Sequence, residues 1–228
     1  MRKILLFFFS HRTLALLRWD LYFSKKRFIN FIFRREIILQ KLLKRPSEKK
    51  YLNLGSGPRG IDDNKWINID GFKDKNVHHC CDFSRGLPFS AGTFDGIFCE
   101  HVLEHFDFGN GKLLMKECLR VLKPGGVIRI VVPDGNKILR AYFDNAEFII
   151  NYKQCENKFP MEAVNKWFYQ RYEHQCIYDA DYLTDMLRKA GFTSAVQKEF
   201  RSASTGNYDL LLDDEKYSWE SLYAEAVK

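Results

Sequence analysis

The chain lacks a long hydrophobic run and a paired-cysteine motif, and its first 50 residues hold few acidic side chains. No stretch approaches the ~18 apolar residues of a membrane-spanning helix. The apolar run in "MRKILLFFFSH" is too short for a signal peptide and no small-residue cleavage site follows it. The six cysteines show no CxxC spacing, which argues against a disulfide scaffold and favours a reducing, cytoplasmic location.

The distribution of charge divides the chain into two parts. Residues 1–50 hold 14 Lys/Arg and 3 acids, a net charge of +11, whereas residues 51–228 hold 22 basic and 26 acidic residues, a net charge of −4. This shift predicts a boundary near "KRPSEKK". We therefore expect a basic, amphipathic helical extension over residues 1–48 and one domain with a substantial core over residues 49–228.

The predicted extension carries an apolar stripe on a helical wheel. Its members are Phe28, Phe31, Ile32, Ile38, Leu39, Leu42 and Leu43. The opposite side collects Lys26, Arg27, Asn30, Arg34, Lys41, Lys44 and Arg45, while Arg35 and Ile37 break the pattern. Two interpretations stay open. The stripe packs on the domain or on a second subunit, or it lies in a membrane interface, attracted to anionic lipid at up to ~1 kcal/mol per basic residue.

Beyond residue 50, strand-like and helix-like segments alternate, which is typical of a parallel α/β sheet. The strand-like segments are "YLNL", "WINID", "VHHCCD", "FDGIFC", "VIRIVV", "TSAVQKEF" and "ESLYAEAV". Helices are predicted in "GKLLMKECLRVLKPGG" and in "DADYLTDMLRKAGF", the second with Asp179 as N-cap and Gly191 at its end. Irregular structure is expected over roughly 135–178 and 200–217.

The stretch "YLNLGSGPRG" runs from a predicted strand into G-x-G-x-x-G, the pattern of a dinucleotide-binding loop. Residues 55–65 are too few for the crossover helix on whose N-terminus a pyrophosphate would sit. Pro58 also removes a backbone N–H group that a phosphate would need. The loop is therefore expected to hold a ligand without a phosphate.

Four stretches together resemble the class I, Rossmann-like S-adenosylmethionine-dependent methyltransferases: "LNLGSG", "WINID", "LPFSAGTFDGIFCEHVLEH" and "LRVLKPGGVIRIVVPD". Within that family, the chain is similar to small bacterial enzymes encoded among surface-polysaccharide genes. The resemblance covers roughly residues 50–228. It implies S-adenosylmethionine as the cofactor, and a seven-stranded, mostly parallel sheet flanked by helices with its last strand antiparallel.

The resemblance also implies a set of cofactor-binding residues, which are Asn53, Gly55, Ser56, Gly57, Asp70, Asp82, Phe83 and Glu100. The glycines would let the backbone approach the cofactor closely, although an ordinary tight turn is the alternative. Asp70 would accept both ribose hydroxyls, or it simply opens a turn with Gly71. Asp82 would meet the adenine amino group beside Phe83. Asn53 stands where many relatives carry an acid.

Candidate catalytic residues follow from the chemistry of an alcohol acceptor, which benefits from a general base. The candidates are His101, His174 and Asp134. His101 and His105 would share a face if their segment were helical, and Glu104 is expected to be a structural hydrogen-bonding partner. No metal site is expected, because the consecutive residues of "HHCC" alternate between the two faces of a strand.

These features favour methyl transfer to a hydroxyl of a sugar, free or carried by a nucleotide or lipid, in surface-polysaccharide or glycoconjugate biosynthesis. A nucleic-acid or other small-molecule methyltransferase is an alternative. The net charge of −4 over residues 51–228 and the absence of an Asn-Pro-Pro-aromatic run argue against a nucleic-acid substrate. A further alternative is a cofactor-binding partner protein without catalysis. A homodimer and peripheral contact with an anionic membrane, at its inner face, are further expectations.

Overall fold

A computed structural model of the chain describes residues 11–32, 36–170, 173–204 and 206–228. Its centre is a seven-stranded sheet with the order β3-β2-β1-β4-β5-β7-β6. The strands are β1 Tyr51–Leu54, β2 Trp66–Asp70, β3 His79–Cys80, β4 Phe94–Glu100, β5 Leu122–Pro133, β6 Ser194–Lys198 and β7 Ser221–Val227. β7 is antiparallel to both of its neighbours, and the other pairings are parallel. The predicted Rossmann-like sheet is confirmed.

The helices confirm one sequence prediction and correct another. They are α1 His11–Ile32, α2 Glu36–Leu43, α3 Phe108–Val121, α4 Gly135–Asp144, α5 Ala146–Tyr152, α6 Pro160–Tyr169 and α7 Ala180–Ala190. At α7, the Asp179 carboxylate accepts from the Tyr182 N–H and Gly191 ends the helix at φ 115°, as predicted. The expectation of irregular structure over 135–178 was wrong, because α4, α5 and α6 lie there.

The two faces of the sheet are covered differently. On one face, α2, α3 and α7 pack against the main core of strand residues. On the other face, the described cover is the segment 199–217, which holds two short 3₁₀ turns and no α-helix. The short β1–β2 connection explains this asymmetry, since it contains only the 3₁₀ turn Gly57–Arg59. That connection has no room for the helix that would otherwise cover the second face.

A buried ion cluster ties the segment 199–217 to the second face of the sheet. The Arg129 side chain of β5 is fully buried, and its Nε donates to Asp213 Oδ1 at 2.7 Å. Its Nη1 donates to Glu225 Oε1 of β7 at 3.2 Å and to the Ser202 carbonyl at 2.8 Å. Arg129 therefore joins two strands to a segment that has little regular structure of its own.

Helices α4–α6 form a small layer with a separate core, placed where the chain leaves the carboxyl end of β5. Their buried residues include Ile138, Ile149 and Trp167, and Trp219 packs beside them. The Trp167 indole donates to Glu220, whose carboxylate also pairs with Lys153 at 2.7 Å. This layer lies next to the sheet edge at which ligands bind in open α/β folds.

Helix α1 docks on the body through its polar side. Arg27 donates to Asp82 at 2.7 Å, Asn30 donates to the Cys80 carbonyl at 2.9 Å, and the Tyr22 hydroxyl donates to the Gly71 carbonyl at 3.3 Å. Three aromatic rings of α1, those of Trp19, Tyr22 and Phe23, contact the Phe72 ring. The helix therefore lies across the carboxyl ends of β2 and β3.

The structure divides the stripe that the sequence predicted. Leu39 and Leu42 of α2 are buried in the main core, whereas Phe28 and Phe31 of α1 have 64% and 81% of their surface exposed. A single helical wheel merged these groups, although the two helices face different surroundings. The predicted positions Arg34 and Arg35, together with residues 1–10, lie outside the described residues.

Candidate functional site

The glycine loop at the end of β1 has the tight geometry that its sequence predicts. Gly55 has φ 73°, and a Cβ atom placed there would lie 2.0 Å from Val102 Cγ2. Gly57 also has a positive φ, 49°, and its N–H donates to Asp70 Oδ2 at 2.8 Å. The loop thus folds over the end of β2, and side chains are excluded at Gly55 on both steric and conformational grounds.

Asp70 sits at the carboxyl end of β2 and is oriented by backbone groups. Its Oδ1 accepts from the Phe72 N–H at 2.8 Å, while Oδ2 accepts from Gly57. The turn interpretation of Asp70 is therefore correct as a description of its present contacts. Each carboxylate oxygen has further lone-pair sites, so the same geometry leaves it able to accept from ribose hydroxyls.

Four of the predicted cofactor residues line one cavity of about 130 Å³ at the carboxyl edge of the sheet. The lining residues are Asn53, Gly55, Ser56, Arg59, Ile61, Phe98, Glu100 and Leu212. Ser56 is 3% exposed, and its Oγ has no hydrogen-bond partner among the described residues. A buried hydroxyl without a partner fits a site for a polar ligand. The donors and acceptors here suit a ligand that carries charged groups.

Arg59 is a cavity residue that the sequence analysis missed. Its guanidinium forms an ion pair with the buried Glu100 and pairs with Asp214 at 3.1 Å. Glu100 Oε1 also accepts from the Asp214 N–H at 3.0 Å. The signal was present in "GSGPRG", where the one cation within the glycine loop marks a side chain able to meet a carboxylate.

Asp82 and Phe83 lie apart from this cavity. The Asp82 carboxylate is held by Arg27 of α1 at 2.7 Å and by the Ser84 hydroxyl at 2.6 Å. The Phe83 side chain is 8% exposed and packs in the main core. The adenine-binding role of this pair remains a prediction, and α1 is now part of its surroundings.

His101 follows β4 directly and has an unusual backbone, with φ 52°. Its Nδ1 lies 3.0 Å from Glu104 Oε1, and its Nε2 lies 3.2 Å from Ser221 Oγ. The imidazole also packs on the Tyr217 ring, with 4.7 Å between ring centroids. A non-glycine residue held at positive φ is costly, so the surrounding contacts fix this histidine.

Glu104 is fully buried and stays ionised beside the histidine. Burial alone would raise the pKa of its carboxyl, but the hydrogen bond with His101 and the nearby His105 and His174 bring that pKa below its ordinary value. Burial likewise acts to lower the pKa of His101, yet Glu104 outweighs it and raises that pKa. The two side chains form an oriented acid–imidazole pair at the end of β4.

His101 and His105 do not share a helical face. The segment after β4 forms only a 3₁₀ turn over Leu103–His105, which lies beyond His101. The partner of His105 is instead His174, with 5.0 Å between the two ring centroids. His174 is 7% exposed, and burial lowers its pKa.

Asp134, the third candidate base, caps a helix. Its Oδ1 accepts from the Lys137 N–H at 3.1 Å at the start of α4, and the Lys137 ammonium lies 3.8 Å from its other oxygen. The side chain is 5% exposed. Its contacts are those of a structural N-cap, and a role as base remains a prediction.

Comparison with known proteins agrees with this geometry. A family model described as a methyltransferase domain matches residues 26–197. The fold is similar to that of a proposed methyltransferase solved with the Haloferax volcanii Trm112 methyltransferase activator (TM-score 0.50, 14% identity, 92% of this chain and 96% of that one). A SAM-dependent methyltransferase from Thermotoga maritima gives a TM-score of 0.49 at 18% identity, covering 89% and 97%.

An uncharacterized protein of Saccharomyces cerevisiae is 24% identical over 137 residues, which are 54% of this chain and 14% of that relative. The chain thus spans a small part of the curated relative that it matches. The family model begins at residue 26, inside α1 and inside the predicted extension. The match over most of the chain, together with the sheet order and the glycine loop, shows that the chain belongs to the methyltransferase domain family, whose methyl donor is S-adenosylmethionine.

Proposed function

We propose that the protein transfers a methyl group from S-adenosylmethionine to a hydroxyl of a sugar acceptor, free or carried by a nucleotide or a lipid. The carrying observation is the imidazole of His101, held between Glu104 and Ser221 at the carboxyl end of β4. When bound, S-adenosylmethionine supplies an activated methyl group. An alcohol acceptor also benefits from a general base that takes up its proton.

Glu104 defines which nitrogen of His101 serves as that base. A carboxylate only accepts, so the Nδ1 of His101 carries the hydrogen in their 3.0 Å contact. In the neutral imidazole, the Nε2 atom then has a free lone pair, and it lies 3.2 Å from Ser221 Oγ. Because Glu104 raises the pKa of His101, this neutral form is the one present above that raised pKa. The hydroxyl of an acceptor that replaces Ser221 as the partner of Nε2 would give up its proton there. The Tyr217 ring beside the imidazole offers an apolar surface for the acceptor.

The cofactor would be held along the carboxyl edge of the sheet by residues at the ends of β1 and β2. Arg59, Asn53 and Ser56 line the cavity and would meet the carboxylate and amino group of the methionine part. Asp70 would accept from the ribose hydroxyls. Positioning of the two reactants supplies much of the rate in such a displacement, roughly 7–11 kcal/mol in well-oriented systems.

The proposal is tested first by calorimetric titration with S-adenosylmethionine and then by S-adenosylhomocysteine formation with panels of free, nucleotide-linked and lipid-linked sugars. In an active pairing, His101→Ala should lower kcat by about 100-fold or more while the Kd for S-adenosylmethionine changes little. His11→Ala, a histidine of α1, is the matched control. Turnover of His101→Ala within threefold of wild type would show that His101 is not the base.

Cofactor binding without turnover on any acceptor would favour a non-catalytic partner protein, and turnover on oligonucleotides alone would favour the nucleic-acid alternative.

We also propose that α1 places the enzyme against an anionic membrane, where a lipid-linked acceptor would be found. Exposed apolar residues form one stripe along the helix, opposite its docked polar side: Leu17, Leu21, Phe28, Phe31 and Ile32. Arg18 and Lys25 flank this stripe and are exposed. Apolar residues bordered by cations suit the interface of an anionic bilayer. Among the described residues, no helix is long and apolar enough to cross a membrane.

Co-sedimentation with vesicles tests this placement. Binding to anionic vesicles and not to neutral ones is expected, with a decrease as salt is added. The double variant Phe28→Asp and Phe31→Asp should abolish binding, whereas Phe143→Asp, at an equally exposed phenylalanine of α4, should not. A stable dimer that the Phe28/Phe31 variant dissociates, with no vesicle binding, would instead assign the stripe to a second copy of the chain.

A further inference from the structure

Three side chains with metal-binding atoms converge beside the proposed catalytic histidine. Glu104, His105 and His174 each offer a ligand atom, and these atoms lie within 4.8 Å of one another. Glu104 and His105 follow β4, whereas His174 comes from the segment between α6 and α7. The sequence did not predict this metal site, because His174 lies about 70 residues beyond Glu104 and His105.

The backbone contacts of the two histidines leave the Nε2 atom of each ring available to a metal. Each ring has its Nδ1 near a backbone carbonyl, at 2.6 Å from Trp167 O for His174 and at 3.2 Å from Glu173 O for His105. A carbonyl oxygen only accepts, so both Nδ1 atoms carry hydrogen and both Nε2 atoms keep a free lone pair. Fixing one ring nitrogen by a backbone carbonyl is the usual arrangement of histidines that bind metals.

The carboxylate supplies an independent observation. Glu104 is 0% exposed, and its Oε1 is engaged by His101. Its Oε2 is buried and has no hydrogen-bond partner among the described residues. A buried carboxylate oxygen without a partner is costly, and a cation satisfies it directly.

We propose that Glu104, His105 and His174 bind one divalent transition metal of the Zn²⁺ type. Two imidazoles and one carboxylate are a ligand set that Zn²⁺ accepts, and three protein ligands leave a coordination position for water or substrate. In a tetrahedral site with bonds of about 2.0–2.1 Å, neighbouring donors lie about 3.4 Å apart. Closing that difference requires a shift of the partly exposed His105 ring, whose Nδ1 lies 3.2 Å from the Glu173 carbonyl.

The site extends the proposed reaction centre without replacing it. Through Glu104, the metal and His101 share one carboxylate, with the metal on Oε2 and the imidazole on Oε1. An ion at this position would fix the Glu104 side chain and thereby the orientation of His101.

Zn²⁺ binding by the full-length protein tests the proposal without cofactor or acceptor. Protein stripped with a chelator and dialysed into metal-free buffer is titrated with Zn²⁺ in competition with a chromophoric chelator, and bound metal is counted by elemental analysis. One Zn²⁺ per chain is expected. His105→Ala should bind at least tenfold more weakly, as should Glu104→Gln and His174→Ala, whereas His11→Ala should bind as the wild type does.

His105→Ala decides the result, because this side chain is half-exposed and its removal leaves the core intact. Thermal unfolding without metal confirms that each variant is folded before it is compared. Failure of the wild-type protein to bind Zn²⁺ at one equivalent overturns the proposal. So does an affinity of folded His105→Ala within threefold of wild type. Neither result bears on cofactor binding or methyl transfer, which are measured separately.

Discussion

Replacement of Arg129 by methionine should destabilise the protein severely. The guanidinium is fully buried and neutralises two carboxylates, those of Asp213 and Glu225, which have 0% and 2% of their side-chain surface exposed. Without it, both carboxylates stay buried with only backbone N–H donors, from Arg201 at 2.8 Å and Ser204 at 2.9 Å. Removing one partner of a buried ion pair costs about 3–5 kcal/mol.

That loss is a large part of the about 5–15 kcal/mol that stabilises a typical domain. For a chain of this size, it corresponds to a decrease in Tm of about 6–20 °C. Urea unfolding followed by circular dichroism gives the free energy of unfolding directly. The matched control is Arg140→Ala, an exposed arginine of α4 that bonds to Asn136, for which a change within about 0.5 kcal/mol is expected.

A triple variant separates the charge effect from loss of packing. Arg129→Met combined with Asp213→Asn and Glu225→Gln removes all three charges, and most of the lost stability should return, since neutral replacement of buried ions is often tolerated. A free energy of unfolding of Arg129→Met within 1 kcal/mol of wild type would show that the buried carboxylates do not depend on this guanidinium. Equal losses in the single and triple variants would assign the effect to packing.

Two further predictions concern the glycine loop. Asp70→Ala removes the acceptor of the Gly57 and Phe72 N–H groups, and with it the proposed acceptor of the ribose hydroxyls. Calorimetry should therefore show S-adenosylmethionine binding weakened by at least tenfold, with the fold retained. A Kd within threefold of wild type would contradict the ribose assignment. Gly55→Ala should destabilise the protein more than Gly57→Ala does. Both residues have positive φ, which costs alanine about 1–2 kcal/mol, but only at Gly55 would the new Cβ meet Val102. Equal unfolding free energies for the two variants would show that this contact relaxes freely.

The sheet was predictable because its evidence is local. The strands of "YLNL" and "WINID" are short runs of apolar residues ended by glycine or a loop, and both were confirmed at their predicted bounds. Asp179 and Gly191 marked the ends of α7 for the same reason. Such signals depend on neighbouring residues in the chain, so they survive without knowledge of the rest of the fold.

Helices α4–α6 were missed because their apolar residues serve a separate small core. Trp167 and Ile149 pack with Trp219, which follows them by more than 50 residues. The contact of Glu104 with His174 and the docking of α1 by Arg27 on Asp82 are likewise long-range. No periodicity in the sequence reports such contacts, and the helical wheel of the extension even suggested the opposite side of α1 for packing.

The polar docking of α1 has a consequence for the motions of the protein. The bonds from Tyr22, Arg27 and Asn30 can all be replaced by bonds to water, so each contributes only about 0.5–1.5 kcal/mol net, or about 1.5–3 kcal/mol for the charged Arg27–Asp82 pair. The packing of the α1 aromatic rings on Phe72 adds to these contributions. Local opening of α1 therefore needs far less free energy than global unfolding, and its amides should exchange with solvent well before those of β4. Each opening also releases the Asp82 carboxylate from Arg27. Opening of α1 therefore makes the Asp82 carboxylate available to a ligand.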